Sequence, residues 1–413
     1  MSNARAAVLD IFYAALAAVH GAARVERFLA ARQPPGEVRA VAVGKAAGTM
    51  LEGARRALGE RLNSALLITK PGHVPPGMAS LAGVTVMEAG HPLPDARSLQ
   101  AGQALLEFIA GAPGDASLLF LISGGTSSLV EVLPSGVTLD DLRRVNHWLL
   151  GSGWDIHRMN VLRKRLSCIK GGRLAEQVQG RRVVQLLISD VPGDSPADIG
   201  SGLLVADEPA SLDEALMPQW LHALLENAPS LPDSKTTAGA DIENYIVASL
   251  DLALSAAAEA ARNMGCSAQV HAERLSGDAA TAGRHLARVL VEGAPGVHLW
   301  GGETTVELPP VPGRGGRNQH LALAAAAVLA NRDNVWLLAA GTDGSDGPGE
   351  DAGALVDGGT LARGELDGLN ITDCLRRADA GSFLEASGDL VTTGPTGTNV
   401  MDLVIGLKLA ADA

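Results

Sequence analysis

Aromatic residues are scarce: five Phe, five Trp and two Tyr make up 3 % of 413 residues. Proteins that hold bases or sugars by stacking carry more, so a stacking platform is excluded as the main device. Basic charge is also short. Lys and Arg number 33 against 46 Asp and Glu, a formal net charge of −13. Such a chain repels nucleic-acid phosphates and anionic lipid, so neither nucleic acid nor a membrane is expected as a partner. Local basic spots still suit small anions. The three cysteines, Cys168, Cys266 and Cys374, form no CxxC and have no histidine at ligand spacing. That excludes the usual zinc patterns and a disulfide framework, and makes a reducing, cytoplasmic setting the default. No uninterrupted apolar run reaches the length of about 18 residues that a spanning helix needs. Arg5 followed by Ala6 to Val19 has the outline of a secretory signal, but Asp10 interrupts it. Ile11, Ala14, Ala15 and Ala18 recur at helical spacing, which predicts an amphipathic helix.

Glycine is plentiful instead, with 49 residues and no Gly-X-Y period. It belongs in tight loops, where backbone approaches ligands closely. The length implies two or three domains at about 150 residues each. Short runs rich in Val, Ile and Leu recur, each ending in glycines and then a helix-like stretch: 38–43, 65–69, 84–88, 117–122, 183–188, 297–300, 335–340 and 400–405. They are too short for helices and mostly do not alternate, as strands buried on both faces do. The expected fold is α/β: two α/β domains with largely parallel sheets flanked by helices, and an active site in the interdomain cleft. Prolines at 218, 229 and 232 mark 212–240 as a hinge, dividing the chain into 1–235 and 236–413. A helix is expected over about 241–264.

The chemistry-bearing groups lie at the strand ends. Gly44-Lys45-Ala46 is not a Walker A loop, since Arg39 stands where glycine is needed and no Ser or Thr follows Lys45. It reads either as an anion-binding turn with a lysine point charge or as a plain strand cap. Ser123-Gly124-Gly125-Thr126-Ser127-Ser128 is rich in N–H and O–H donors and suits phosphate or carboxylate. No Gly-x-Ser-x-Gly elbow is present, which argues against a serine nucleophile. Arg158 to Arg173 is the densest basic cluster. Its bland reading is a solvated helix face; a share in an anion site is the alternative. Asp190 ends a strand, where a carboxylate holds Mg²⁺ or accepts a substrate hydroxyl proton, or simply sits in a turn. Gly302 and Glu303 end another. Arg314 and Arg317 lie on the glycine-rich 313–316 lead-in to a helix, an arrangement suited to phosphate oxygens. That stretch fails the Gly-x-Gly-x-x-Gly fingerprint at Asn318. Asp343 and Asp346 flank Gly344 in a loop that is not an EF-hand, and Mg²⁺ or substrate hydroxyls are their candidate partners. His73 and His91 receive no role.

Seven motifs in order carry a resemblance: Val-Gly-Lys-Ala at 43–46, Ser-Gly-Gly-Thr-Ser-Ser at 123–128, Ile-Ser-Asp-Val-Pro-Gly-Asp at 188–194, Gly-Gly-Glu-Thr-Thr-Val at 301–306, Gly-Arg-Gly-Gly-Arg-Asn-Gln at 313–319, Gly-Thr-Asp-Gly-Ser-Asp-Gly-Pro at 341–348 and Thr-Gly-Pro-Thr-Gly-Thr-Asn at 393–399. Together the sequence resembles the glycerate 2-kinase family, the class II, MOFRL-type glycerate kinases, over nearly its whole length. The resemblance implies a Rossmann-like domain over 1–235 and a MOFRL-type domain over 236–413. It also implies transfer of the ATP γ-phosphoryl to the 2-hydroxyl of D-glycerate, giving 2-phosphoglycerate and ADP, with Mg²⁺ required. Lys45 and Arg317 match the family's lysine and arginine and would stabilise the transferring phosphoryl. Asp190 matches its acidic position, for metal or for the substrate hydroxyl, and Asp343 is the second expected metal ligand. Gly44, Ser123, Gly124, Gly125, Thr126, Ser127, Gly302, Glu303, Gly315 and Asn318 are the expected nucleotide contacts. Thr126 and His320 depart from the family pattern, which has Gly or Ala and Glu there. D-glycerate and ATP are the expected partners, with a homodimer as the candidate assembly. Some relatives carry the label hydroxypyruvate reductase. The alternative reading, NAD(P)-dependent reduction of hydroxypyruvate, lacks an intact dinucleotide fingerprint with its acidic ribose partner.

Overall fold

A computed structural model describes residues 2–151, 154, 156–206, 217–226, 228, 229, 232 and 241–410. The chain forms two compact units: Gly21–Val247, and Met1–His20 together with Ala248–Ala413. This differs from the expected 235/236 boundary at both ends. Strand β6 (Asp241–Ala248) lies at the edge of the first sheet and carries that unit further along the chain. The helix Ser2–Ala18 buries Val8, Ile11, Phe12 and Ala15 within the second unit, against the helix Leu250–Asn263 and its sheet. The predicted amphipathic helix is therefore present. The stretch Ala4–Ala31 has the length and apolarity of a spanning helix, but it breaks at Val19-His20 into two helices with protein-covered faces. The expected hinge at 212–240 lies largely outside the described residues. The helix expected from 241 begins only at Leu250, because Asp241–Ala248 pairs as a strand.

In the first unit, β1 (Val38–Val43), β2 (Leu62–Thr69), β3 (Val84–Glu88), β4 (Ser117–Ile122), β5 (Arg182–Ile188) and β6 lie in the order β3-β2-β1-β4-β5-β6 among the described residues. The pairs β2–β3, β1–β2, β1–β4 and β4–β5 are parallel. Leu66, Ile68, Val41, Phe120 and Leu187 form the sheet's share of the core, under Leu105 and Ile109 of the helix Ala96–Ala110. Strand order reverses between β1 and β4, the place where open parallel sheets bind ligands beyond their carboxyl ends.

The second sheet corrects the expectation of parallel strands. β7 (Ala268–Val270), β8 (Gly296–Gly302), β9 (Val335–Gly341), β10 (Gly353–Asp357), β11 (Leu390–Val391) and β12 (Asp402–Lys408) run in the order β11-β10-β9-β12-β8-β7. Only β7–β8 is a parallel pair among those described. β12 runs antiparallel between β8 and β9, and β10 is antiparallel to both its neighbours. The α/β class holds, but this sheet is mixed. A run such as Val400–Ile405, buried on both faces, carries no mark of its direction.

Candidate active site

In the first unit, the chain leaves β1 at Gly44-Lys45 and β4 at Ser123–Ser128, side by side at the reversal of strand order. Val43 pairs with Ile122. Ser123 N–H donates to Val43 O at 3.0 Å and Lys45 N–H to Gly124 O at 2.9 Å. Ser123 Oγ accepts from Ala46 N–H at 3.1 Å. Thr126 Oγ1 donates to Ser123 O at 2.7 Å and to Val43 O at 3.0 Å. Ser123 and Thr126 are thus fully buried braces, not the ligand donors the sequence suggested. Gly44 has φ +128°, and a Cβ there would lie 2.2 Å from Ser123 Oγ. Gly44→Ala is expected to destabilise the protein by about 2–5 kcal/mol, from left-handed strain plus overpacking. Urea denaturation reads this, and an unchanged midpoint would show that the junction yields.

The exposed side of the same loop is different. Gly125, Ser127 and Ser128 line a pocket of about 570 Å³ with His91, Glu131, Asn146, Arg163, Lys170 and Ser201. Ser127 Oγ and Ser201 Oγ are 2.7 Å apart. A Cβ on Gly125 would touch the His91 ring at 3.1 Å and Lys45 Cγ at 3.3 Å, so this glycine lies between the lysine stem and the imidazole. The half-buried Lys45 accepts His73 Nδ1 on its carbonyl at 3.2 Å. Asp190 is half-buried past the end of β5 and does not line the pocket.

The basic cluster at 158–173 is not a solvated face. Lys164, Lys170 and Arg173 are buried. Lys170 Nζ pairs with Glu131 and donates to Ser127 O at 2.7 Å. Lys164 Nζ reaches Asp198 at 3.2 Å. Sequence reading missed Glu131 and Ser201 altogether, and gave His91, which lines the pocket, no role. The cluster's glycine-flanked Lys170-Gly171-Gly172 was the available signal for the rest.

In the second unit, Arg317 opens the helix Arg317–Leu329. Its Nε donates to Asp402 Oδ2 at 2.6 Å and its Nη2 to Asp402 Oδ1 at 3.1 Å, and Nη2 also meets Glu303. Burial works against this charge, but Asp402 and then Glu303 outweigh it and hold the guanidinium above its usual pKa. The helix's first amides are already occupied. Asp346 accepts Asn318 N–H at 3.0 Å, Asn318 Nδ2 at 3.3 Å and Gln319 N–H at 2.8 Å. Asn318 therefore has an internal partner where a nucleotide contact was expected. Gly302 also serves packing, since a Cβ there would lie 2.5 Å from Leu275 O. Gly315 lines a pocket of about 340 Å³ with Arg317, Thr304, Val306, Pro348 and His320. Thr304 Oγ1 and His320 Nδ1 are buried there with no hydrogen-bond partner among the described residues. Burial lowers the His320 pKa against the pull of Asp278, so the ring is neutral at pH 7.

Asp343 and Asp402 flank Gly341. A Cβ on that glycine would lie 3.3 Å from Asp343 Oδ1 and 3.5 Å from Asp402 Oδ1. Among the described residues no three His, Cys, Asp or Glu side chains are grouped to hold a metal. The two expected metal ligands belong to different units, Asp190 to the first and Asp343 to the second.

Burial pushes the Asp346 carboxyl up to about 6, against the lowering by the Asn318 and Gln319 amides and with a further raise from Asp402. The folded protein then keeps this proton to a higher pH than the unfolded chain, whose reference is 3.8. The stability due to this group is greatest below about pH 4 and is lost as pH rises through about 6, by about 3 kcal/mol in total. The stability of the wild type relative to Asp346→Asn should fall by most of that amount between pH 4 and 7 in urea titrations. A constant difference would refute the raised value.

Residues 7–221 match a domain-of-unknown-function family, DUF4147, and residues 296–402 match the MOFRL family. A D-glycerate 2-kinase of Thermotoga maritima is 36 % identical over 384 residues, covering 89 % of each chain. A human glycerate kinase is 33 % identical over 371 residues, 75 % of this chain and 71 % of that one. An Agrobacterium vitis protein with a provisional hydroxypyruvate reductase name is 38 % identical over 97 % of this chain and 94 % of its own. The crystal structure of a Thermotoga maritima glycerate kinase matches with a TM-score of 0.86 at 33 % identity, covering 99 % of this chain and 100 % of that one.

Proposed function

Because this chain belongs to the glycerate 2-kinase family of MOFRL-type proteins, we propose that it transfers the γ-phosphoryl of ATP to the 2-hydroxyl of D-glycerate, releasing 2-phosphoglycerate and ADP. The observation that carries this is the Thermotoga maritima D-glycerate 2-kinase, similar across both units of the chain. The chain's own chemistry supports it. Phosphoryl transfer needs oriented cations and exclusion of water more than covalent help. Lys45 supplies a point charge at the strand-order reversal of the first sheet, and Arg317 a guanidinium locked by Asp402. The pocket beside Arg317 offers apolar walls at Val306 and Pro348 and unpaired polar groups on Thr304 and His320 for the nucleoside. The Mg²⁺ that the family resemblance implies would be held by the hard oxygen donors of Asp343, with phosphate and water completing its shell, since both Asp402 oxygens already accept from Arg317. Bound there, it would neutralise phosphate charge. Asp190 is the candidate acceptor of the substrate hydroxyl proton. The free thiols of Cys168, Cys266 and Cys374 suit a reducing cytoplasm.

The reductase reading is weaker on structural grounds. In a dinucleotide site the glycines of the turn after β1 make it tight and let the backbone approach pyrophosphate. Here that closeness is taken up by Ser123. Phosphorus NMR of a reaction with ATP and D-glycerate should show 2-phosphoglycerate, and NADH should persist with hydroxypyruvate. NADH oxidation without glycerate phosphorylation would reverse the assignment.

A further inference from the structure

The pocket of the first unit holds a positive charge that its own residues do not offset. Four ionisable side chains line it: His91, Glu131, Arg163 and Lys170. Glu131 and Lys170 cancel each other as a buried pair, with Glu131 also taking Ser167 Oγ at 2.5 Å and Val132 N–H at 3.0 Å. Arg163 remains. Among the described residues its hydrogen bonds go to neutral amide oxygens, Nε to Asn146 Oδ1 at 3.2 Å and Nη1 to Asn160 Oδ1 at 3.4 Å. The fully buried cations nearby have an acidic partner or a short carbonyl bond: Lys164 reaches Asp198, and Arg173 donates to Lys164 O at 2.6 Å. Arg165, whose Nε is buried without a partner among the described residues, does not line this pocket. A guanidinium does not deprotonate in proteins, so one that lines a pocket without a carboxylate partner is open to an outside anion.

Resting on the glycerate 2-kinase reading, we infer that Arg163 is the anchor for the substrate's carboxylate, binding the three-carbon hydroxy acid beside the Ser127–Ser201 hydroxyl pair. A guanidinium fork matches a carboxylate with two parallel hydrogen bonds. Asn146 and Asn160 hold the fork without neutralising it. The hydroxyls of Ser127 and Ser201, 2.7 Å apart, are matched to a ligand that carries hydroxyls of its own. Gly125, with no side chain, leaves this pocket adjacent to the Lys45 stem. A nucleotide phosphate is the other anion the same fork would take, and the test separates the two.

Steady-state kinetics of Arg163→Ala and Arg163→Gln, varying each substrate in turn, should raise KM for D-glycerate about 10- to 100-fold, the loss expected for a charged hydrogen-bonded pair. KM for ATP should stay in place. Arg163→Lys keeps the charge and the fold but loses the fork, and should show a smaller rise of the same sign. Titration calorimetry with D-glycerate alone should show the same loss without turnover. Competition by glycerol, which lacks the carboxylate, should be equal in wild type and variants. A rise in KM for ATP alone, or no rise in either, overturns the anchor. Wild type that binds D-glycerate without phosphorylating it would sink the kinase reading and leave the anchor standing. Wild-type binding that Arg163→Gln does not weaken would sink the anchor alone.

Discussion

Arg317→Ala is expected to lower kcat by about 10²- to 10³-fold, the usual cost of removing one fixed donor to developing charge in a transition state. The geometry supports so large a number. Asp402 grips the guanidinium along its Nε–Nη2 edge, fixing the plane of the fork, while Nη1 has no partner among the described residues. A donor held this way needs no reorganisation when phosphate charge develops. The same substitution strips a buried carboxylate of its counter-charge, because the Asp402 side chain is only 3 % exposed. Breaking a buried pair costs about 3–5 kcal/mol, reduced to about 1–3 kcal/mol here because Arg317 itself reaches solvent. Arg317→Lys should recover much of the stability but little of the turnover, since an ammonium cannot reproduce the two-point grip. Rapid kinetics alongside urea denaturation separates the effects. Lost stability with unchanged kcat would reduce Arg317 to a structural residue.

Lys45→Ala is the complementary case: turnover is expected to fall about a hundredfold. Its backbone N–H on Gly124 O and its carbonyl on His73 brace the turn, and alanine keeps both. The side chain is half-buried at the mouth of the loop, so its removal leaves no sealed cavity. Thermal melting run alongside the kinetics separates a lost charge from a lost fold, and kcat measured on folded protein should carry the hundredfold effect. A wild-type rate in this variant would remove Lys45 from the mechanism.

Strand positions and the loops after them were legible because each strand is a short apolar run closed by glycine. The bracing role of Ser123 was not, since its partner Ala46 lies 77 residues away in the chain and nothing in either segment names the other. The cluster from Arg158 to Arg173 shows why charge runs mislead. The carboxylates that bury Lys170 and Lys164, Glu131 and Asp198, lie 39 and 34 residues off. Asp346 and Asp402 escaped notice or kept only a guessed role for the same reason. Asp346 looks like any loop aspartate until the helix start at 317–319 is folded onto it. The direction of β12 was illegible because antiparallel and parallel central strands bury the same residues.

The helix Ser2–Ala18 docks on a unit whose remaining chain begins at Ala248. During synthesis it leaves the ribosome long before its docking surface exists. At about 5–20 residues per second, roughly 10–50 s separate the helix from residue 248, and longer still from β12. Throughout that interval Val8, Ile11 and Phe12 have no native cover. Chaperone demand should therefore concentrate on this helix in the nascent chain, and placing it after β12 by circular permutation should relieve that demand.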